Sequence, residues 1–209
     1  EALLKDAPKI THQLLRAVKY DLSYHKNSNQ IQHLLRWFES NPGDQFNDLE
    51  QQAFEHLKAW DFSTHMHNTQ AALAVLTLDP VQKARGQVTM GEITQAFKQA
   101  VSQLIKFHAK VDVPYGEVVR LIHGDKNLAI SGGPDTMRAV VGKPLNDEGQ
   151  AMDTAGDGFL MFVSWDSSGL VASDAIHQFG SATLDKKSPH FNDQMEMFVN
   201  HQERKVLFK

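Results

Sequence analysis

The spacing of apolar residues and the frequency of glycine and proline change near Lys110, and this change limits the folds that the chain can adopt. Before that point, apolar residues recur every three or four positions over long stretches, which is typical of amphipathic helices. After it, glycine and proline become frequent and the apolar segments become short, as in strands joined by turns. We therefore expect an α+β fold, with a mainly helical region over residues 1–110 and a β-rich region over residues 111–209.

The first region carries the start signals and the periodicity of several helices. The clearest helix is predicted after Thr89, because Thr89 and Glu92 have the spacing of a capping box and an apolar stripe over 93–105 follows them. Another helix is expected to begin near Asp48, with the Asp48 carboxylate as its cap and Gln51 reaching back. Further helices are predicted over residues 10–22, 31–38 and 71–78.

The second region contains one clear hairpin signal. The apolar segments 158–165 and 170–179 flank Asp166-Ser167-Ser168-Gly169, a turn-rich connector of the length that joins two antiparallel strands. A last strand is predicted over residues 205–208.

Composition excludes several classes of function. The chain has 209 residues with 41% hydrophobic content, which is enough for a real core, and its net charge of −4 comes from mixed charges with no basic stripe for nucleic acid. It contains no cysteine, so disulfides, thiolate metal sites and a cysteine nucleophile are ruled out within these residues. No apolar run has the ~20 residues that span a bilayer, so no membrane partner is expected.

The start Glu1-Ala2-Leu3-Leu4-Lys5 lacks an initiator Met and a signal pattern, and we expect the sequence to come from a longer protein.

The chain is rich in histidine, with 11 copies, but the spacing does not predict a metal site. His65 and His67 lack a third ligand nearby, so we interpret them as surface residues. Asp153-Thr154-Ala155-Gly156-Asp157-Gly158 begins like a calcium loop, but Ala155 and Ser164 stand at ligand positions, and Gly132-Gly133 is interpreted as a turn. We expect no cofactor and no metal. Four histidines are placed on predicted helices and interpreted as solvent-facing: His12, His25, His33 and His56.

His190, Asp193 and Gln194 form the most suggestive polar set. A histidine with an aspartate three residues later can form a hydrogen-bonded pair that orients the ring for proton transfer. The alternative, which we favour, is that these side chains tie a loop to neighbouring backbone groups, because no nucleophile stands beside them in the sequence. On either interpretation we assign no catalytic residue here.

The second region contains a series of short motifs in a recognisable order and spacing. They are Pro114-Tyr115-Gly116-Glu117-Val118-Val119-Arg120, Gly124, Ile130-Ser131-Gly132-Gly133-Pro134, Met137-Arg138-Ala139, Gly156-Asp157-Gly158-Phe159, Gly180 and Ser188-Pro189-His190-Phe191-Asn192-Asp193-Gln194. Together they resemble the C-terminal part of the β subunit of penicillin amidases, in particular the acyl-homoserine lactone acylases. The resemblance extends from about Asp112 to Phe208, whereas the helical region adds only Trp60-Asp61. Two features differ: Asp185-Lys186-Lys187 lengthens a connector, and Phe191 replaces the family's Tyr.

This resemblance implies an N-terminal nucleophile hydrolase, whose body the chain would complete. Such enzymes use the hydroxyl of the first β-subunit Ser as nucleophile and its own amino group as base. That Ser would lie upstream of Glu1, so the chain alone is expected to be inactive. The implied partners are the α subunit and the N-terminal part of the β subunit, the implied substrates are N-acylated small molecules such as penicillins or acyl-homoserine lactones, and the implied location is the periplasm. The rival hypothesis is a non-catalytic scaffold or binding module.

Overall fold

The computed structural model describes residues 5, 10–40, 42–84, 87–142, 145–169 and 171–207, and within them it confirms the α+β fold. Helices dominate up to His108 and strands follow. The α-helices are α1 (His12–Lys19), α2 (Asn29–Glu39), α3 (Asp48–Lys58), α4 (Ala71–Thr77), α5 (Asp79–Lys83), α6 (Met90–His108), α7 (Tyr115–Val118) and α8 (Met195–Val199), with a short 3-10 helix at Pro42–Gln45. The strands are β1 (Val119–His123), β2 (Lys126–Ala129), β3 (Val140–Gly142), β4 (Ala151–Gly156), β5 (Phe159–Trp165), β6 (Val171–His177) and β7 (Arg204–Lys205).

The predicted capping box at the start of α6 is present. The Thr89 side chain accepts a hydrogen bond from the Glu92 amide, and the Glu92 carboxylate accepts one from the Thr89 amide. The helix ends where Ala109 takes a left-handed conformation with φ of 59°. Six residues of the predicted stripe are buried along α6: Ile93, Ala96, Phe97, Ala100, Val101 and Leu104.

The predicted cap of α3 is wrong by one residue. Asn47 is the cap, and Glu50 completes the capping box, whereas Asp48 already lies in the first helical turn. The reason is that Asn47 has the extended backbone that places its side-chain oxygen 2.9 Å from the Glu50 amide.

Two sheets make up the β-rich region. The first has the strand order β2-β1-β4-β3, in which β1 and β4 run parallel and the other pairs run antiparallel. The second has the order β5-β6-β7 and contains the predicted hairpin, with Phe159 opposite His177 and Trp165 opposite Val171. The last strand begins at Arg204, one residue earlier than predicted; Phe208 and Leu170 lie outside the described residues.

Aromatic residues fill the centre of the helical region. The Trp37 ring lies 5.3 Å from the rings of Phe54 and Phe97, and its Nε1 atom donates to Thr94 Oγ1 at 2.9 Å. The same core continues into the first sheet through buried residues such as Leu121. Within the described ranges, no helix is both long and apolar enough to cross a membrane. The domain boundary at residue 110 stays a prediction.

Candidate functional site

The loop that follows β6 folds back on itself at Gly180. The Ala182 amide donates to the His190 carbonyl at 3.0 Å, which closes the loop. A Cβ atom at Gly180 would overlap this same carbonyl group and lie 2.7 Å from Asp193 Oδ1. The close approach of two backbone segments therefore requires glycine at position 180.

His190 and Asp193 form the pair that their spacing predicts. His190 Nδ1 lies 3.0 Å from Asp193 Oδ2, and the Arg204 guanidinium lies 3.8 Å from the same carboxylate oxygen. The His190 side chain is 55% exposed. The Asp193 carboxylate thus holds the ring in one orientation at the surface of the loop.

Gln194 points inward and joins the loop to the end of β6. Its side-chain Oε1 accepts a hydrogen bond from the His177 amide at 3.0 Å, and its own amide donates to the Phe179 carbonyl at 2.9 Å. Gln194 itself is buried, and these two bonds pair its side-chain oxygen and its amide with backbone groups of His177 and Phe179. This geometry is the one expected from the interpretation that Gln194 ties down a loop, and its role in function stays a prediction.

Phe191 and Asn192 dock the loop onto the turn between β1 and β2. The Phe191 ring lies 4.2 Å from the His123 ring, and Asn192 Nδ2 donates to Asp125 Oδ1 at 2.8 Å. Gly124 sits beneath Phe191 with φ of 66°, where a Cβ atom would overlap the ring. The motif that carries the family resemblance therefore connects the two sheets.

A buried ion pair lies at the start of the hairpin, between Arg138 and Asp157. The fully buried Arg138 has Nη1 3.0 Å from Asp157 Oδ2 and Nη2 3.2 Å from the Phe198 carbonyl, and it covers the Phe198 ring at 4.0 Å. Lys19 of α1 reaches the other oxygen of Asp157 at 2.7 Å. Sequence analysis missed this cluster, although both Met137-Arg138-Ala139 and Gly156-Asp157-Gly158 were singled out.

The hydroxyl group of Ser131 has a structural partner. Ser131 is buried, and its Oγ accepts a hydrogen bond from the Met66 amide at 3.0 Å. Gly132 and Gly133 lead into a turn in which the Thr136 hydroxyl accepts from the Gly133 amide at 3.0 Å. The predicted turn is therefore confirmed. Ser131, just before this turn, joins the β-rich region to the segment around Met66.

Asp153 of β4 is a buried carboxylate that the sequence suggested only as part of a rejected calcium loop. Its Oδ2 accepts from Gln178 Nε2 at 2.7 Å, which joins β4 to the segment after β6. Burial raises the pKa of Asp153 to about 6, against the opposing effects of the Val141 amide and the Arg138 charge. No group of three or more His, Cys, Asp or Glu side chains in the described residues is arranged to hold a metal ion.

α1 attaches to the hairpin and the C-terminal segment through polar groups. Arg16 forms an ion pair with Glu203, whose other oxygen accepts from the Tyr20 hydroxyl. The Tyr20 ring stacks on His201 at 4.3 Å, and burial lowers the pKa of His201 to about 4. His201 is therefore neutral in the folded protein at pH 7.

For the remaining histidines, the predicted location and exposure agree with the structure at some positions and not at others. His65 and His67 are exposed as predicted, with ring centroids 5.2 Å apart. The prediction that His25 lies on a helix is wrong, because this residue belongs to the connection between α1 and α2. His56 is partly buried rather than solvent-facing, and its Nε2 lies 3.0 Å from the Thr69 carbonyl oxygen.

Comparison with known proteins extends the resemblance to the helical region. The family model described as penicillin amidase matches residues 1–209, the whole chain. A search of curated proteins gave no match. The match includes the loop from Gly180 to Gln194 and the Arg138–Asp157 pair, as well as the helices, for which the sequence motifs alone gave little support. The chain belongs to the penicillin amidase family.

Proposed function

We propose that this chain is the C-terminal part of an amidohydrolase that cleaves the amide bond of N-acylated small molecules, either penicillins or acyl-homoserine lactones. The observation that carries this proposal is the match of the penicillin amidase family over the whole chain. Family membership supports hydrolysis of an amide in general. The class of substrate, the acyl-enzyme route and the inactivity of the chain alone are parts of the proposal.

The nucleophile in this proposal is an N-terminal Ser of the β subunit, in polypeptide that precedes Glu1. Its hydroxyl attacks the amide carbonyl while its own α-amino group accepts the proton, since that amine has an ordinary pKa near 8. The amine product then leaves with a proton, and water hydrolyses the ester that joins the acyl group to Ser. The geometry here supports a structural role for this chain, because Ser131 and Gln194 are both held by backbone amides.

The partners in this proposal are the α subunit and the N-terminal part of the β subunit from the same precursor, and the location is the periplasm. The Gly180–Gln194 loop would stiffen the C-terminal end of the assembled enzyme. A second candidate function is a non-catalytic scaffold or binding module. It is favoured by the engagement of Phe191, Asn192 and Gln194 in contacts between the two sheets.

The test compares the 209-residue chain with the complete reading frame from which it comes. Both are incubated with a phenylacetyl penicillin and with an acyl-homoserine lactone, and the released amine is measured. We expect hydrolysis by the complete protein and none by the chain alone. Hydrolysis by the chain alone would place the nucleophile within these residues, and a properly folded complete protein that cleaves neither amide would favour the scaffold.

A matched pair of variants in the complete protein separates the two interpretations of His190. His190→Ala removes the ring, and Asp193→Asn keeps the ring but removes the charge that holds it. If the loop is structural, both variants retain kcat to within about tenfold, because general acid–base catalysis typically contributes a factor of 10²–10⁴. A loss beyond about 100-fold in His190→Ala, with unchanged thermal unfolding, would identify His190 as a catalytic group instead.

A further inference from the structure

We propose that residues 200–206 form a proton-sensitive strap: when His201 binds a proton, this segment leaves α1 and β6 while the rest of the chain stays folded. The strap follows α8 and contacts α1 through the side chains of His201 and Glu203. It then forms β7, which pairs with β6, and ends where the Val206 amide donates to the Ser173 carbonyl at 2.8 Å. All of these contacts form inside the chain, so they do not depend on what covers its surface.

The imidazole ring of His201 has no acceptor for a second ring proton. It stacks on the Tyr20 ring of α1, with centroids 4.3 Å apart and planes inclined by 14°. Its Nε2 atom is buried and has no hydrogen-bond partner among the residues that the structure describes. A protonated imidazole donates from both ring nitrogens, so Nε2 would become a buried donor without an acceptor. The position of the ring therefore suits only the neutral form.

The charges around His201 reinforce this preference. The fully buried Arg138 donates to the Phe198 carbonyl at 3.2 Å, and the His201 amide donates to the same carbonyl at 3.4 Å. A positive charge on His201 would therefore lie beside a buried positive charge. His65 adds to this effect, whereas Asp157 opposes it. Burial, followed by the Arg138 charge, lowers the pKa of His201 from 6.5 to about 4.

Glu203 is the second buried contact between the strap and α1. Its side chain is 1% exposed, forms an ion pair with Arg16 and accepts a hydrogen bond from the Tyr20 hydroxyl. Tyr20 therefore holds the strap at two places, because its ring contacts His201 and its hydroxyl binds Glu203. Since both contacts involve one side chain of α1, we expect them to break together.

The backbone of the strap favours local release. His201 has φ of 55°, a left-handed conformation that residues other than glycine rarely adopt and that persists only where surrounding contacts maintain it. β7 contains only Arg204 and Lys205, so its pairing with β6 is short. Segments with few stabilising contacts open at a lower free-energy cost than the whole protein. Loss of the His201 and Glu203 contacts should therefore open the strap before the sheets unfold.

The difference between the two pKa values of His201 sets the size of the effect. In the released strap His201 is in water and has its ordinary pKa of 6.5, whereas in the closed strap its pKa is about 4. Protons therefore bind to the released form, and the contribution of His201 to closure is lost as the pH falls below 6.5. The ratio of released to closed strap should rise about 50-fold between pH 7 and pH 4.5.

Hydrogen exchange followed by mass spectrometry on the complete protein tests this inference. After correction for the intrinsic effect of pH on exchange, the opening equilibrium of residues 200–206 should rise about 50-fold from pH 7 to pH 4.5. The amides of β1, in the interior of the first sheet, should keep the same protection at both pH values. This readout does not involve amide hydrolysis, so its outcome is independent of the proposed function.

Three variants of the complete protein identify the group that binds the proton. His201→Phe keeps an aromatic ring against Tyr20 but binds no proton, and it should reduce the response to pH to less than about threefold. Glu203→Gln keeps an acceptor for the Tyr20 hydroxyl but removes the charge, so it should open the strap more at both pH values and retain the response. His67→Phe makes the matched substitution at an exposed histidine and should also retain the response. Thermal unfolding at pH 7 checks that each variant is folded.

Equal opening of the strap at pH 7 and pH 4.5 in the wild-type protein would overturn the proposal. A response that His201→Phe leaves intact, or that Glu203→Gln or His67→Phe abolishes, would overturn it as well, because another group would then bind the proton. Loss of protection in β1 to the same extent as in the strap would mean that acid unfolds the chain as a whole, which also contradicts the proposal.

Discussion

The guanidinium group of Arg138 is completely buried, with its Nη1 atom 3.0 Å from Oδ2 of Asp157, which lies two residues before the start of the β5–β6 hairpin. Arg138 also binds the Phe198 carbonyl, and Lys19 shares the Asp157 carboxylate. One ion cluster thus joins α1, the turn after Ser131, the hairpin and α8. Removing Arg138 would leave Asp157 paired with Lys19, but it would take the guanidinium donor from the Phe198 carbonyl.

Arg138→Met should lower the free energy of unfolding by about 1–3 kcal/mol, because the Phe198 carbonyl loses the guanidinium donor while Asp157 keeps its ion pair with Lys19. Urea unfolding followed by circular dichroism measures this value. The control is Lys58→Met, which removes an exposed ion pair with Glu55 at 3.2 Å and should cost less than about 1 kcal/mol. Equal costs for the two variants would show that the Arg138 pair contributes no more than a surface contact.

Arg138 and Asp157 also show what the sequence could not predict. The helices were predictable because their signals are local: the cap Thr89 and its partner Glu92 are three residues apart, and the stripe of α6 repeats within single turns. The ion cluster depends on contacts between residues 19, 138 and 157, which only the tertiary fold brings together.

Local signals also have limited resolution. Asn47 and Asp48 are both good cap residues, and only the backbone conformation decides between them. The pairing of His190 with Asp193 was predictable from their spacing, whereas the inward position of Gln194 was not, because its partner amide belongs to His177 at the end of β6.

Gly180→Ala should destabilise the protein by about 1–3 kcal/mol, because the new Cβ atom would overlap the His190 carbonyl and force the loop to shift. Differential scanning calorimetry measures the change in melting temperature. Gly158→Ala is the control, since a Cβ atom there would have no atom within 4 Å. If Gly180→Ala melts at the same temperature as Gly158→Ala, the loop is not packed closely enough at position 180 to exclude a Cβ atom.

Gln194→Leu should cost about 1–3 kcal/mol, because the His177 amide loses the acceptor that the buried Gln194 side chain supplies, while the volume of the side chain is nearly kept. His190→Ala, which removes an exposed ring, should cost less than about 1 kcal/mol. Chemical denaturation of both variants gives the comparison. The reverse order of the two costs would mean that the His190–Asp193 pair, and not Gln194, holds the loop.

Asp153→Asn should stabilise the protein at neutral pH and have little effect near pH 4. Burial raises the pKa of Asp153 from 3.8 to about 6, so the folded state holds this proton more tightly than the unfolded state, and the wild-type protein loses stability through this group as the pH rises from about 4 to 6. A pKa shift of this size lowers the free energy of unfolding at pH 7 by on the order of 3 kcal/mol.

The free energy of unfolding of Asp153→Asn should rise as the pH increases from about 4 to 6.5. The ionisation of Asp153 in the wild-type protein has the opposite effect over this range. Burial lowers the pKa of His201 from 6.5 to about 4, so its contribution to stability is present above pH 6.5 and is lost as the pH falls towards 4. Without the Asp153 carboxylate, nothing in this pair opposes the effect of His201, so the variant should become more stable as the pH rises. Urea unfolding from pH 4 to 8 measures both curves, with Asp147→Asn as the exposed control. A difference between Asp153→Asn and wild type that is constant with pH would mean that burial does not raise the pKa of Asp153.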